Sequence, residues 1–308
     1  MNEVTQSPDQ VPEQLHKQSL LQRIWRFPLV AMIVAIALII GSAALTGQAV
    51  TRLIRPYMAE EPGRVLSVLL LITLSTLAYK LVIRHLGAKI HDDLPFDIRA
   101  VRDTAAGFIG GGILISICVG LAALFGVYRI SGWDGFGDWV QVIFLFGLYA
   151  GFFEELLLRG IVHRWLEEMT GSWIALALSS LIFGFLHADN DNATFFSSLA
   201  ISIEAGILLG AAYILTRSLW LAMGLHAGWN VVQALWDVPV SGIPIEGPIA
   251  ATLEGPSLLA GGGFGLEATI FALIVATSAG VGMLVLAIRK GRIVKPMWSR
   301  KGEEITAY

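Results

Sequence analysis

Six polar side chains set in otherwise apolar sequence could do chemistry. They are Glu154, Glu155 and Arg159 in GFFEELLLRG (151–160), His187 at the end of SSLIFGFLHAD, and His226 and Asn230 in LWLAMGLHAGWNVV. Residues three and four apart share a helix face, so Glu155 and Arg159 can form an ion pair within one helix. Glu154 points about 140° away from the arginine at ~100° per residue, which leaves it free to face a cavity. Such a set supports water activation. A glutamate and a histidine can bind and deprotonate water, either directly or through a bound metal. A second histidine and an amide can stabilise the oxyanion formed when water attacks a carbonyl. Two histidines plus a carboxylate also match a catalytic zinc set with one position left for water. No HExxH occurs in the chain, so the soluble zincin motif is absent.

The elements that must position these groups are membrane spans. Of 308 residues, 55% are hydrophobic and 15% charged, with a mean hydropathy of +0.69. Soluble domains carry about 25% charged residues, so the fold expected is all-α, a polytopic membrane bundle. Eight segments approach the ~20 apolar residues of a span, near 28–50, 65–86, 105–127, 140–163, 173–188, 195–216, 219–236 and 267–289. The fifth and seventh are short and the fourth and seventh carry polar groups, which suits a bundle interior. A net charge of −3 gives no support for a nucleic-acid partner; the expected partners are the lipid bilayer and a peptide or membrane-protein substrate.

Basic residues set the orientation. Lys17, Arg23 and Arg26 precede the first span, Lys80, Arg84, Lys89, Arg99 and Arg102 surround the second's exit, and Arg289, Lys290, Arg292 and Lys295 follow the last. The connections 189–194 and 237–266 have no Lys or Arg. Eight spans with both termini cytoplasmic satisfy this, with Arg52, Arg55, Arg64 and Arg129 as exceptions. The expectation is a multi-pass protein of the plasma membrane, a bacterial inner membrane. It divides into an N-terminal segment (1–27) that is either a surface helix with Leu15, Leu20, Leu21, Ile24 and Trp25 on its apolar face or a disordered tail, a bundle (28–289) with a catalytic core near 139–236, and a basic tail (290–308). No secretory signal is evident. The Pro- and Gly-rich loop 237–266 is a lid, a binding element or slack. Gly107/Gly111 and Gly206/Gly210 have small-xxx-small spacing for close helix packing. The single cysteine, Cys118, reads as packing, and no internal repeat supports a transporter of inverted repeats.

Depth allows the polar groups to converge. Counted from assumed interfaces at about 1.5 Å per residue, Glu154 and Glu204 lie ~15 and ~14 Å from the outer face, His187 ~9 Å, Asn230 ~14 Å and His226 ~20 Å. Each has a plain structural reading. A lone transmembrane histidine is more often a helix–helix hydrogen-bond partner, Glu155 with Arg159 can be a structural pair, and Glu204 can bond a serine. Asp189 and Asp191 read as turn-solvating residues near enough to His187 to assist a metal, and Arg164, Glu167 and Glu168 as interfacial. The conjunction argues otherwise, since each unused buried polar group adds a desolvation cost.

EELLLR (154–159), FGFLH (183–187) and HAGWN (226–230) match EExxxR, FxxxH and HxxxN in order. With these motifs the chain resembles the CPBP or Abi family of intramembrane endopeptidases, which includes type II CAAX prenyl proteases and bacteriocin-processing or self-immunity proteins. GILLGAAYILTRSLWLAMGLHAGWN (206–230) also looks like that family's lead into its last motif. The resemblance covers about 139–236 and implies a helical bundle hydrolysing a peptide bond within the bilayer. It implies that Glu154 with His187 activates water, that His226 and Asn230 stabilise the oxyanion or help hold a metal, and that Glu155 and Arg159 complete the first motif. A divalent ion such as zinc would take Glu154, His187 and His226; a metal-independent glutamate mechanism is the alternative. Two other readings are a non-catalytic scaffold or self-immunity protein that keeps the motifs for packing, and a proton- or ion-coupled transporter using Glu154, Glu204 and the histidines.

Overall fold

The computed structural model describes residues 20–87, 91–135 and 137–300. Leu15, Lys17 and Lys89 lie outside the described residues, as does the end of the basic tail from 301. A short helix α1 (Leu20–Arg26) leads into α2 (Pro28–Leu53), α3 (Glu60–His85) and α4 (Ile98–Leu124). After β1 (Tyr128–Trp133) comes α5, a 46-residue helical run (Gln141–Leu186), then α6 (Phe195–Thr216), α7 (Leu219–Leu235), β2 (Ile249–Leu253) and α8 (Ile270–Arg289). Helix starts are fixed by side chains that accept otherwise orphaned backbone N–H groups: Asp97 at α4, Thr194 with Ser197 in a reciprocal box at α6, Ser218 at α7 and Thr269 at α8.

Among the described residues, six helices are long and apolar enough to cross a membrane: α2, α3, α4, α5, α6 and α8. The expected eight differ from these at two places. The segment expected at 219–236 forms a 17-residue helix, ~26 Å long and so short of the ~30 Å hydrocarbon core. Those at 140–163 and 173–188 form one unbroken helical run with non-helical backbone only at Gly171 (φ 79°, ψ 168°). His163 Nδ1 lies 3.1 Å from Ser179 Oγ, whereas sixteen residues of straight helix would separate them by ~24 Å. The run therefore folds back at Gly171 into two arms. Only glycine adopts that backbone readily, and a Cβ there would meet Val294 O and Pro296 N, both at 2.9 Å.

The helices α2, α3, α4 and α8 present large apolar side chains outward, among them Ile33, Leu77, Ile109 and Ile274, as lipid-facing surfaces do. At the centre stands α6, with 67% of its apolar window buried against 22% for α2. The α4–α7 pair packs through glycines: a Cβ on Gly107, Gly111, Gly224 or Gly228 would fall within 2.5 Å of the facing backbone. Gly206 and Gly210 likewise meet Ser180 and Leu176 across the α6–α5 contact. Small residues let membrane helices approach this closely, and here they set the register of α7, which carries His226 and Asn230.

The loop 237–266 is not slack. Its β2 pairs antiparallel with β1, so the described residues include a two-stranded sheet that an all-α expectation omits. The loop is also tied to the turn after α5, where Asn190 Nδ2 donates to Ser241 O (2.9 Å) and Asn192 Nδ2 to Gly242 O (3.3 Å). Arg164, Glu167 and Glu168, expected at an interface, are buried in protein. Arg164 pairs with Asp93, and Glu167 with Arg217 at 2.5 Å. Residues 292–300, expected as tail, close on the α5 turn: Ser172 N donates to Val294 O (3.0 Å) and Val294 N to Ser172 Oγ (2.8 Å).

Candidate active site

The first arm of α5 is π-helical over Gln141–Glu154 and Leu158–His163, with three α-helical residues between. Its i→i+5 hydrogen bonds widen the helix, and such segments recur at functional sites. The two adjacent glutamates meet opposite environments. Glu155 is fully buried, its Oε1 accepting from Arg159 Nη1 at 2.8 Å. Arg159 is equally buried, its guanidinium 4.6 Å from the centre of the Phe183 ring. Glu154 keeps 32% of its side chain exposed, and its Oε2 lies 3.9 Å from His187 Nε2. At that separation a water can sit off the line between the two groups and bond to both.

The histidines are oriented by their Nδ1 atoms. His187 closes the second arm of α5, and its Nδ1 lies 2.8 Å from Phe183 O. A carbonyl only accepts, so Nδ1 carries the hydrogen and, in the neutral ring, Nε2 keeps its lone pair toward Glu154. His226 Nδ1 lies 3.0 Å from Glu155 Oε1, so that carboxylate joins Arg159 on one side to His226 on the other. Asn230, one turn further along α7, donates from Nδ2 to Phe146 O at 3.0 Å and retains a second N–H.

Glu154, His187, His226 and Asn230 line one open cavity of about 410 Å³, with Tyr149 and Phe153 from α5 and Val240, Ser241 and Ile243 from the long loop. The loop thus walls the site. Glu155 and Arg159 stand behind it, joined to it by His226. Asp189 and Asp191 are exposed in the turn after α5 and are not among the cavity residues. Among the described residues, no three His, Cys, Asp or Glu side chains are gathered to hold a metal ion. Glu154 and His187 approach each other, and His226, whose Nδ1 is turned to Glu155, keeps its Nε2 for another partner.

A small void of about 20 Å³, room for one water, lies next to this cavity. Phe183, His187, His226, Asn230 and Ser241 border both spaces. Glu204 and Glu267 also border the void. Glu204 is 1% exposed and its Oε2 has no hydrogen-bond partner. The Glu267 carboxylate accepts the Ser241 N–H at 2.5 Å, and burial pushes this carboxyl above its ordinary range. Sequence reasoning singled out Glu204 and missed Glu267. The only signal for Glu267 was an acid at the start of an apolar span, with no motif around it.

Residues 136–232 match the family model described as Rce1-like, the type II CAAX prenyl endopeptidases. That stretch contains all six motif residues and Glu204, while Glu267 lies beyond it. No curated protein and no solved structure matches the chain.

Proposed function

We propose, from the Rce1-like match over 136–232 and the cavity its polar residues share, that the chain is an intramembrane endopeptidase working by carboxylate-activated water. One observation carries the reading: in a bundle that buries its other motif acid, Glu154 alone remains half-exposed, facing His187 across a water-sized gap.

In this reading a water lies between Glu154 and His187, donating one hydrogen to each. The Glu154 carboxylate takes a proton as the oxygen attacks the scissile carbonyl carbon, and His187 Nε2 accepts the other hydrogen bond and aims the lone pair. Negative charge then develops on the carbonyl oxygen. The free N–H of Asn230 and, in the imidazolium form, His226 Nε2–H are the available donors. Glu155 accepts from His226 Nδ1 and so favours that form, and Arg159 holds Glu155 in place. Collapse of the tetrahedral species breaks the C–N bond, and the proton on Glu154 passes to the leaving amine. These steps use side chains and water alone.

The test is cleavage of quenched peptides, with and without a prenylated C-terminal cysteine, by protein reconstituted in nanodiscs. Glu154→Gln and His187→Ala should each lose on the order of 10²–10⁴-fold in turnover, the usual share of general base catalysis, with unchanged thermal unfolding. Full activity in either variant would sink the assignment.

A further inference from the structure

The far end of the bundle holds a second recess, of about 370 Å³, with no part in the chemistry above. It lies where α4 and α7 begin and α6 and α8 end. Five basic residues line it, Arg99, Arg102, Arg217, Lys290 and Arg292, against two acids, Asp92 and Asp103. Both acids are already engaged, Asp92 by Lys80 at 2.6 Å and Asp103 by Arg102 at 2.8 Å. Arg217 is 5% exposed and spends its terminal nitrogens on Glu167 and Arg292 O, while its Nε finds no hydrogen-bond partner. Among the described residues no ion pair involves Lys290 or Arg292. The N-termini of α4 and α7 add positive dipole ends.

The rim beside this charge is apolar. Phe96, Ile98 and Val101 are 68%, 80% and 68% exposed at the start of α4, a span whose outer face carries Ile109 and Ile113 in the same condition. A cationic recess opening onto a lipid-facing apolar edge fits an amphiphile with an anionic head. This end also carries most of the chain's basic residues, including Arg84 and the 289–295 segment, which by the positive-inside rule places it at the leaflet rich in anionic lipid.

We propose that the recess seats the phosphate headgroup of an anionic phospholipid, with an acyl chain lying along Ile98 and Val101. Lys290 and Arg292 supply the accessible charge together with Arg99, whose exposed partner Asp97 lies at 3.5 Å, and Arg217 forms the fixed floor.

The experiment compares full-length protein with the variant Arg99→Gln/Lys290→Gln/Arg292→Gln, whose changes are at two exposed residues and the half-buried Arg292. Each is equilibrated with phosphatidylglycerol or phosphatidylcholine, and retained lipid is counted by native mass spectrometry. Wild type should retain phosphatidylglycerol preferentially, and the variant should lose affinity by on the order of fivefold per basic side chain removed. Equal retention of the two lipids by wild type, or undiminished preference in the variant, overturns the proposal. A separate arm adds inorganic phosphate. Displacement of lipid only at high concentration supports the headgroup site, whereas binding of phosphate that is as tight and is unaffected by Ile98→Ser/Val101→Ser makes it a free-anion site and overturns the lipid assignment. Peptide cleavage by the triple variant in phosphatidylcholine nanodiscs should match wild type.

Discussion

Glu155 sits fully buried between Arg159 at 2.8 Å and His226 at 3.0 Å, and one of its oxygens has no partner. Removing one member of a buried pair leaves the other charge uncompensated, at a cost of about 3–5 kcal/mol. Glu155→Gln should therefore lower the unfolding midpoint clearly in a thermal melt, whereas Glu154→Gln, a half-exposed side chain with one long contact, should leave it unchanged while abolishing cleavage. Equal destabilisation by the two variants would contradict this division. The Glu155–Arg159 pair was legible because i,i+4 geometry is local. The Glu155–His226 bond was not, because it joins residues 71 apart and depends on the register of α7.

That register is an element-scale property, set where α4 and α7 meet at backbone distance. A Cβ on Gly228 would sit 2.0 Å from Phe108 O, so Gly228→Ala must push α7 outward. Overpacking of this kind costs about 1–3 kcal/mol. A displacement near 1 Å at His226 and Asn230 can cost ~10²-fold in turnover. The control is Gly120→Ala on α4, where a Cβ meets nothing within 4 Å; it should change neither activity nor unfolding. The helices and their apolar faces could be read from hydropathy, and the glycine spacing on α4 and α6 announced close packing. The break between the two arms of α5 was legible as the gap between the spans at 140–163 and 173–188, though not its seat at Gly171. Nor was the sheet joining β1 to the loop 237–266, whose strands lie more than a hundred residues apart.

Across the whole molecule, polar contacts at the two ends hold the bundle's loops. At the active-site end Arg64 donates to both oxygens of Asp138, at 2.5 and 2.9 Å, fastening the approach to α5 onto α3. The Arg64 guanidinium holds the Asp138 carboxyl below its usual range. A depressed acid contributes stability that is present above its unfolded pKa, about 3.9, and is lost as pH falls through its folded value. The unfolding midpoint of Asp138→Asn should thus lie below wild type at pH 7, and the gap should narrow below about pH 4. A gap independent of pH would show that the pair adds nothing. In the carboxylate mechanism, chelator treatment of the reconstituted enzyme should leave peptide cleavage intact; loss of activity restored by zinc would replace that mechanism with a metal one.

The contact between Ser172 and Val294 also bears on the order in which the chain is made. Both arms of α5, with Glu154 and His187 on them, leave the ribosome more than a hundred residues before the segment that fastens their turn. Until 292–300 arrives, the hairpin holds its acid and its histidine without its clasp.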